Sequence, residues 1–595
     1  MRLERIVVSS FALVAGLLLI SDSAAGQDVL EIGRVRGVQP PQWVLETLQR
    51  DPTAFQFRRA WKHKVRRIRE VRASVRPMLG PSYSPSQLAV SGAAVTGVLS
   101  VPVIAGLFSD ATAPFTQAEY QQRLYGDGMG TVSVSEYYAE LSGGQFGITG
   151  LVSDWVGLPN TASYYESNGD PKYGEAGEFM RDALTAVDPG FDFSQFDNDG
   201  PDGVPNSGDD DGYVDVVAFI YPSVPRTCGG ASTGIWPHRW VYEAWYGVAF
   251  VTDDAAAGGG FIRISDYTIQ SGVGCTAAQI MGSGTLSHEL GHALGLPDLY
   301  DYDGSSRGIG YWGLMAAGNW NSQTSPAHMC AWSRDYLGWL NVTTLTESAL
   351  GYGLSPVQTS RAVVRIDIPG TNEYFLLSNR QRIGSDAYLL GTGLLVWHVD
   401  EDVTAEGYGI NDDENHKGVD LEEADGQYDL DFNRNGGDSG DPYPGTSGNT
   451  TFDGGSDPNS HNYVGAASGV AVRNISFSGN LASFDIVISA PVILWGDVDG
   501  NGAVTIADVD LIYDYAIGYI GDVTGLMAYG DVDADGDVDM RDGLITHSFV
   551  SGIDTSGYRV GEEAPPAGAP RLFPSADRLD PLSPLPGVRR RLIPK

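Results

Sequence analysis

Cysteine is scarce in this chain, with three residues in 595. So few thiols cannot build a disulfide scaffold. Cys228 and Cys275 are the candidate pair, which would leave Cys330 as a buried free thiol; spacing alone does not decide whether they join. Basic residues are also in short supply, 37 Lys and Arg against 75 Asp and Glu, for a net charge of −38. A field of that sign repels phosphate and argues against nucleic acid as a partner. Beyond the first 26 residues no apolar run approaches the length needed to cross a bilayer.

The hydrophobic fraction, 42%, is that of a folded protein, and 595 residues are too many for one core. At about 100 to 200 residues per domain, three or four units are expected. Residues 1–26 carry Arg2 and Arg5, the apolar run Ile6 to Ile20 and the small-residue ending SDSAAG. That order predicts a secretory signal peptide cut after Ala25 or Gly26, hence an extracellular protein with no membrane span after cleavage. The acidic excess sits in Asp-Gly-Asn runs, which are oxygen-ligand material for Ca²⁺.

One stretch organises the chain: LSHELGHALGLPDLY, residues 286–300. His288 and His292 lie four apart, so on a helix both imidazoles leave one face and can hold one metal ion. Glu289 then stands beside the metal without binding it. Gly295 can take the left-handed conformation that ends a helix, and Pro297 cannot continue one, so Asp298 swings back as the third ligand. A Zn²⁺ with three protein ligands keeps a position for water, lowers its pKa to about 7 and leaves a carboxylate to take the proton. The expected chemistry is metal-assisted peptide hydrolysis. HExxH alone arises by chance in amphipathic helices; the glycine turn and the acid make it specific.

Further blocks stand around this core: VPVIAGLFSD at 101–110, YYAELSGGQFGITG at 137–150, GIWPHRW at 234–240, HELGHALGLPDLYD at 288–301, YWGLMAAGNW at 311–320, and LLVWHVDED with VDLEEADG between 394 and 426. Together, over residues 98 to 460, they resemble the M6 family of secreted zinc metallopeptidases, the immune inhibitor A group. The resemblance implies a metzincin-like zinc peptidase in which Met315, in the Gly313-Leu314-Met315 turn, forms an apolar floor beneath the histidines. It also implies Asp298 where metzincins commonly place a third histidine.

The remaining segments differ in character. Residues 27–95 include RRAWKHKVRRIREVRASVR at 58–76, strongly basic within an acidic protein, and read as a propeptide able to dock on an acidic catalytic domain. Residues 96–345 alternate strand and helix patterns and form the peptidase domain. Within it, Asp197, Asp199, Asp202, Asp209, Asp210, Asp211 and Asp215 cluster around glycines, a candidate structural Ca²⁺ site. Residues 346–490 are short alternating runs that predict a β-rich unit packed on the catalytic domain. There Asp429, Asp431, Asp438 and Asp441 are candidate ligands of another Ca²⁺. His63, Trp236, His238, His328, His398 and His416 read as structural or surface residues.

Residues 496–518 and 530–552 are an internal repeat, each a twelve-residue loop followed by an apolar-periodic helix. In the first loop Asp497, Asp499 and Asn501 stand at positions 1, 3 and 5, Ala503 at 7, Thr505 at 9 and Asp508 at 12. In the second the same places hold Asp531, Asp533, Asp535, Asp537, Asp539 and Asp542. The pair, within residues 491–556, resembles a dockerin type I module, which implies two bound Ca²⁺ and a cohesin partner. Ile506-Ala507 and Met540-Arg541 depart from the Ser-Thr common at loop positions 10 and 11 of cellulosomal dockerins. The tail, 557–595, is proline-rich and predicts disorder.

The expected protein is therefore multidomain: an α/β metzincin-like zinc peptidase domain, a β-rich following region and a small all-α, EF-hand-like dockerin module. Its expected function is a secreted zinc endopeptidase acting on protein or peptide substrates. The alternative is a non-catalytic binding or scaffold component built on a peptidase-like domain, which has no reason to retain Glu289. A carbohydrate-active enzyme carried by its dockerin lacks an identifiable carboxylate pair.

Overall fold

The computed structural model describes residues 38–51, 54–128, 130–166, 176–228, 234–489, 494–499, 504–521 and 527–564. The expected signal peptide, loop residues Asn501 and Ala503, and the tail from 565 onward lie outside the described residues. Among the described residues no helix is long and apolar enough to cross a membrane.

The β-branched run at Gly97–Leu107 is an inner strand of the first sheet. It pairs in parallel with Phe146–Val152 on one side and Val217–Tyr221 on the other, and the latter with Asp266–Ser271. Only His238–Val241, at the edge, runs antiparallel. Both faces of this sheet are covered, which is why its strands are continuous apolar runs rather than alternating ones. Val101, Val103 and Ala105 point to the core that holds Leu286 and Leu290; Ile104, Val217 and Phe219 point to the opposite core with helix Ala176–Val187.

The region after 345 is β-rich and does not stand apart. Its six-stranded sheet opens with Ser82–Tyr83 and Asn341–Thr344 and continues through Ala362–Asp367, Glu373–Arg380, Gly393–Asp400 and Val419–Leu421. Every residue of Glu373–Arg380 and Gly393–Asp400 is buried. Leu376, Leu395 and Trp397 join the central core that holds Leu286 and Leu290; Leu377, Leu394 and Val396 face a second core against the sheet of Ala349–Leu354, Leu481–Ile488 and Val470–Ser478.

The basic segment packs on the first sheet and the central core. Helix Lys62–Leu79 presents charge on most faces, yet Trp61 and Val65 are buried in the central core. The backbone amides of Arg58 and Arg59 donate to buried Asp266 at 3.0 and 2.7 Å, and the Trp61 indole N–H donates to Asp215 at 3.0 Å. Cys228 and Cys275 are disulfide-bonded, with Cα atoms 5.3 Å apart, and Cys330 is free and buried.

The second sheet also buries charge. His398 is 3% exposed, with Nε2 2.8 Å from Glu373 and Nδ1 3.2 Å from Glu422, and it stacks on Tyr463 at 4.2 Å. Burial lowers its pKa, but the two carboxylates outweigh burial and push it up to about 9. Because the folded value lies above the unfolded one, near 6.5, this stabilisation is whole below about pH 6.5 and is lost as pH rises through about 9. His398→Gln should therefore lower the melting temperature strongly at about pH 6 and much less at about pH 9.5, the gap corresponding to about 3 kcal/mol. Equal losses in a thermal scan at both pH values would show that the protonated imidazole is not what stabilises the sheet.

Candidate metal centre

Helix Gly284–Ala293 is buried along almost its whole length, with Leu286, Leu290 and Ala293 in the central core. The Tyr138 hydroxyl donates to the Ser287 carbonyl at 2.6 Å, fixing the helix from the side. The helix ends as its sequence demands. Gly295 has φ +81°, its N–H reaches the His292 carbonyl at 2.9 Å, and Leu296 N–H reaches the Gly291 carbonyl at 3.2 Å. This paired closure turns the chain back on itself and brings Asp298 under the two histidines.

The three expected ligands converge. His288 Nε2 and His292 Nε2 are each 3.1 Å from Asp298 Oδ1 and 3.1 Å from each other. Their exposures are 2%, 5% and 1% for His288, His292 and Asp298. His288 Nδ1 donates to the Leu314 carbonyl at 2.8 Å and His292 Nδ1 to the Leu296 carbonyl at 2.8 Å. A carbonyl can only accept, so both neutral imidazoles carry their proton on Nδ1 and turn a bare Nε2 lone pair inward. Asp298 Oδ1 is likewise buried without a hydrogen-bond donor. Three electron pairs in mutual contact repel unless a cation lies among them. Tetrahedral ligation at about 2.0 to 2.2 Å places ligand atoms about 3.3 to 3.6 Å apart, slightly wider than the 3.1 Å found here, so the residues fit a zinc ion after a small spreading.

Within the cluster the groups share charge: burial works against a charged His288, but the Asp298 and Glu289 carboxylates and the Leu314 carbonyl push it up. Burial pushes His292 down to about 3, with the Arg239 guanidinium adding to the effect. Burial works against the Asp298 charge, but His292, His288 and Arg239 hold the carboxyl well below its ordinary range. Glu289, 5% exposed and one residue from His288, is raised by burial against the pull of Arg239.

Two residues of the centre were not anticipated. Arg239, on the antiparallel edge strand, stands 3.2 Å from Glu289 Oε2 and 3.5 Å from Asp298 Oδ2. The Tyr302 hydroxyl donates to Asp298 Oδ2 at 3.0 Å. Arg239 lies within the GIWPHRW block, but nothing local in that block announces its role. His238 beside it is structural, bonded to the Trp236 carbonyl at 2.7 Å and the Tyr267 hydroxyl at 2.8 Å. His328 is structural too, with Nε2 2.8 Å from Glu140, and His416 is held by Asp400 at 2.8 Å.

Beside Asp298 lies a cavity of about 80 Å³ lined by Arg239, His292 and Asp298 together with Gln56, Phe57 and Lys62 of the N-terminal segment; His288 and Glu289 line a separate, smaller cavity with Tyr300 and Trp320.

The C-terminal repeat is built twice on one plan. Val498 and Asp499 amides donate to Asp508 Oδ1 at 2.8 and 3.1 Å; Val532 and Asp533 amides donate to Asp542 Oδ1 at 2.8 and 3.2 Å. Helices Ile506–Ala516 and Met540–Val550 follow, capped by Thr505 and Asp539. Asp497, Asp499 and Asp508 bring carboxylate oxygens within 4.8 Å of one another, and Asp531 Oδ1 is buried without a donor. Residues past 556 belong to the ordered module: Val560 is buried, Trp495 N–H donates to the Glu562 carbonyl at 2.8 Å, and Arg559 lies 3.3 Å over the Trp495 ring. The expected boundary at 556, with a disordered tail from 557, falls inside this clasp.

In the 428–445 segment the expected ligand set is divided. Asp441 meets Glu423 and Asp425, while Asp431 pairs with buried Lys417 and Asp429 with Arg434 at 3.4 Å. Lys417 is fully buried and pairs with Asp420 at 2.8 Å as well as with Asp431, which removes Asp431 from the expected ligand set.

Met315 is fully buried under the helix, and a Cβ on Gly291 would stand 2.5 Å from its Sδ and 3.1 Å from its Cε. Gly291→Ala should displace this floor and lower stability by about 1 to 3 kcal/mol, read as a drop in melting temperature. Unchanged melting would show that the contact between residues 291 and 315 is slack.

Residues 109–342 match the family model of the immune inhibitor A peptidase M6 catalytic domain. Immune inhibitor A of Bacillus thuringiensis subsp. alesti is 30% identical over 288 residues, which cover 43% of this chain and 41% of that protein. The pre-pro-metalloprotease PrtV of Vibrio cholerae serotype O1 (strain M66-2) is 30% identical over 247 residues, 38% of this chain and 26% of that protein. The chain thus spans less than half the length of each of these relatives. Across that shared span, which includes the three converging ligands and Glu289, this chain is similar to metallopeptidases of the M6 family.

Proposed function

We propose that this protein is a secreted zinc endopeptidase that hydrolyses peptide bonds of extracellular proteins. His288, His292 and Asp298 hold the zinc, and Glu289 is the general base. The observation that carries the proposal is the inward convergence of three buried lone pairs, from two histidines and one aspartate, beside a second acid, Glu289, that takes no part in ligation. The likeness of residues 109–342 to M6 catalytic domains supports the same assignment.

When bound, the ion supplies Lewis acidity and a water activated near neutral pH. The chain supplies orientation and proton traffic. The Leu314 and Leu296 carbonyls keep both imidazoles in the ligating tautomer, and Tyr302 fixes Asp298 through its second oxygen. Glu289 accepts the proton of the attacking water and returns it to the leaving amine, with Arg239 holding its Oε2 in place. Glu289→Ala should keep one zinc per chain by metal analysis and lose casein cleavage by about 100-fold or more. Cleavage at the wild-type rate would show that another residue is the base.

Residues 27–95 act as a propeptide that keeps the enzyme latent. Support comes from the burial of Trp61 and from Gln56, Phe57 and Lys62 lining the cavity beside Asp298. A form starting at residue 96 should cleave casein faster than the full chain; equal rates would end the case for latency.

The 491–556 repeat folds around two Ca²⁺ and attaches the enzyme to a cohesin domain. Each loop gathers carboxylates that repel one another when empty, and the two small cores, Val498 with Ile512 and Val532 with Ile545, bury little apolar surface. Ile506 and Met540, the position-10 residues of the two loops, are each 52% exposed, an apolar pair presented in the same place of both repeats. The isolated module, residues 491–564, should gain helical circular dichroism on titration into millimolar Ca²⁺, and Asp497→Ala with Asp531→Ala should abolish the gain. Equal helicity in chelator would show that the ions are not what folds it.

A further inference from the structure

Seven aspartates between 197 and 215 take no part in the metal centre. Three of them, Asp197, Asp199 and Asp210, bring a carboxylate oxygen each to within 4.8 Å of one another. Main-chain donors fix the group: Asp210 accepts from the Gly200 amide at 2.7 Å and the Ser207 amide at 2.6 Å, and Asp199 from the Asp211 amide at 3.2 Å.

Asp197 is the member that these contacts do not satisfy. It is 1% exposed; Oδ2 accepts from the Gly212 amide at 3.0 Å, while Oδ1 is buried with no hydrogen-bond partner. Asn198 Oδ1, on the next residue, is buried and unpartnered as well. A buried ionised oxygen without a donor or a cation is strongly unfavourable. The two cations that the fold brings to this loop bond to other atoms of it than Asp197 Oδ1. Lys64 Nζ lies on the carbonyls of Asn198 and Gly200, at 3.3 and 2.9 Å, and Arg59 pairs with Asp211 at 3.0 Å.

The donor set names the class of ion. Zinc takes nitrogen and sulfur readily, and magnesium demands a near-ideal octahedron of short contacts; a glycine-rich loop offering several carboxylates and only oxygen suits Ca²⁺. We infer that the loop at 197–215 binds one Ca²⁺ through the carboxylates of Asp197, Asp199 and Asp210, at a site separate from the metal centre and from the C-terminal repeat. The ion ties together the two arms of the loop, and with them the ground on which the basic segment rests, since Asp215 of the same loop holds the Trp61 indole.

The test uses the full chain, zinc retained, with Asp497→Ala and Asp531→Ala to silence the repeat. Terbium(III) is titrated in while tryptophan is excited, the Trp61 ring being within reach as sensitiser. Terbium emission should appear and be displaced by CaCl₂, and CaCl₂ should raise the melting temperature. Adding Asp199→Asn and Asp210→Asn should abolish both responses. Responses that persist in that variant, or that never appear in the parent, would overturn the assignment. Should the double substitution prevent folding, Asp199→Asn alone, at a partly exposed position, is judged by the same measurements and should weaken calcium binding by about tenfold or more.

Discussion

Three lone pairs facing one another across 3.1 Å, with scarcely any solvent access, set the terms for the structure around them. Such an arrangement exists only if each donor is prevented from turning away. Two main-chain carbonyls lock the imidazoles, a tyrosine and an arginine lock the carboxylate, and a left-handed glycine delivers that carboxylate to the right side of the helix. Gly295, Leu296 and Tyr302 follow the helix directly, whereas Leu314 and Arg239 arrive from other parts of the chain. The helix is in turn held by burial between the first sheet and the loops that follow it, so the precision of a few atoms draws on a core assembled from residues 57 to 430.

The same economy governs the charges. An acidic protein with buried aspartates must supply each of them with a donor or a cation, because burial penalises the ionised form. Asp266 takes two backbone amides and Asp215 an indole N–H, all from the basic segment, whereas Asp386 takes Arg380 through both oxygens. The basic segment thus docks through main-chain and indole donors at buried acids and also through its cationic side chains, with Arg59 on Asp211, Lys64 on the Asn198 and Gly200 carbonyls, Arg72 on the Asp335 and Tyr336 carbonyls and Arg76 beside Glu401. Net charge suggested electrostatic attraction; the contacts that hold it are largely short, directed hydrogen bonds.

What was legible in the sequence follows from range. His288, Glu289, His292 and Asp298 lie within eleven residues, and helix geometry plus one glycine turn is enough to bring them together. Arg239 was not legible, because it arrives from 50 positions away on an edge strand whose register is set by pairing with Asp266–Ser271. The twin loops could be read from their phase. Their closing clasp could not, because Val560 and Arg559 sit in a proline-rich stretch whose composition suggests disorder. Strand content after 345 was visible as apolar runs, but the run of Gly393–Asp400 does not say which residue faces which core. The partner sheet is assembled from residues 349–354 and 470–488, more than a hundred positions apart.

That two-faced sheet bears on how such a chain can be recombined. Leu376 and Leu377 are neighbours that serve different cores, as are Leu395 and Val396. The first strand of the same sheet, Ser82–Tyr83, comes from upstream of the peptidase domain. A crossover at residue 345 would therefore not exchange an independent block. It would deliver a first sheet and metal centre whose apolar flank is bare and a β-rich unit missing the surface it was shaped against, both open to self-association. Inheritance, by this logic, should pass the stretch from Ser82 to Ile488 as one indivisible cassette, with the freer joints lying outside it.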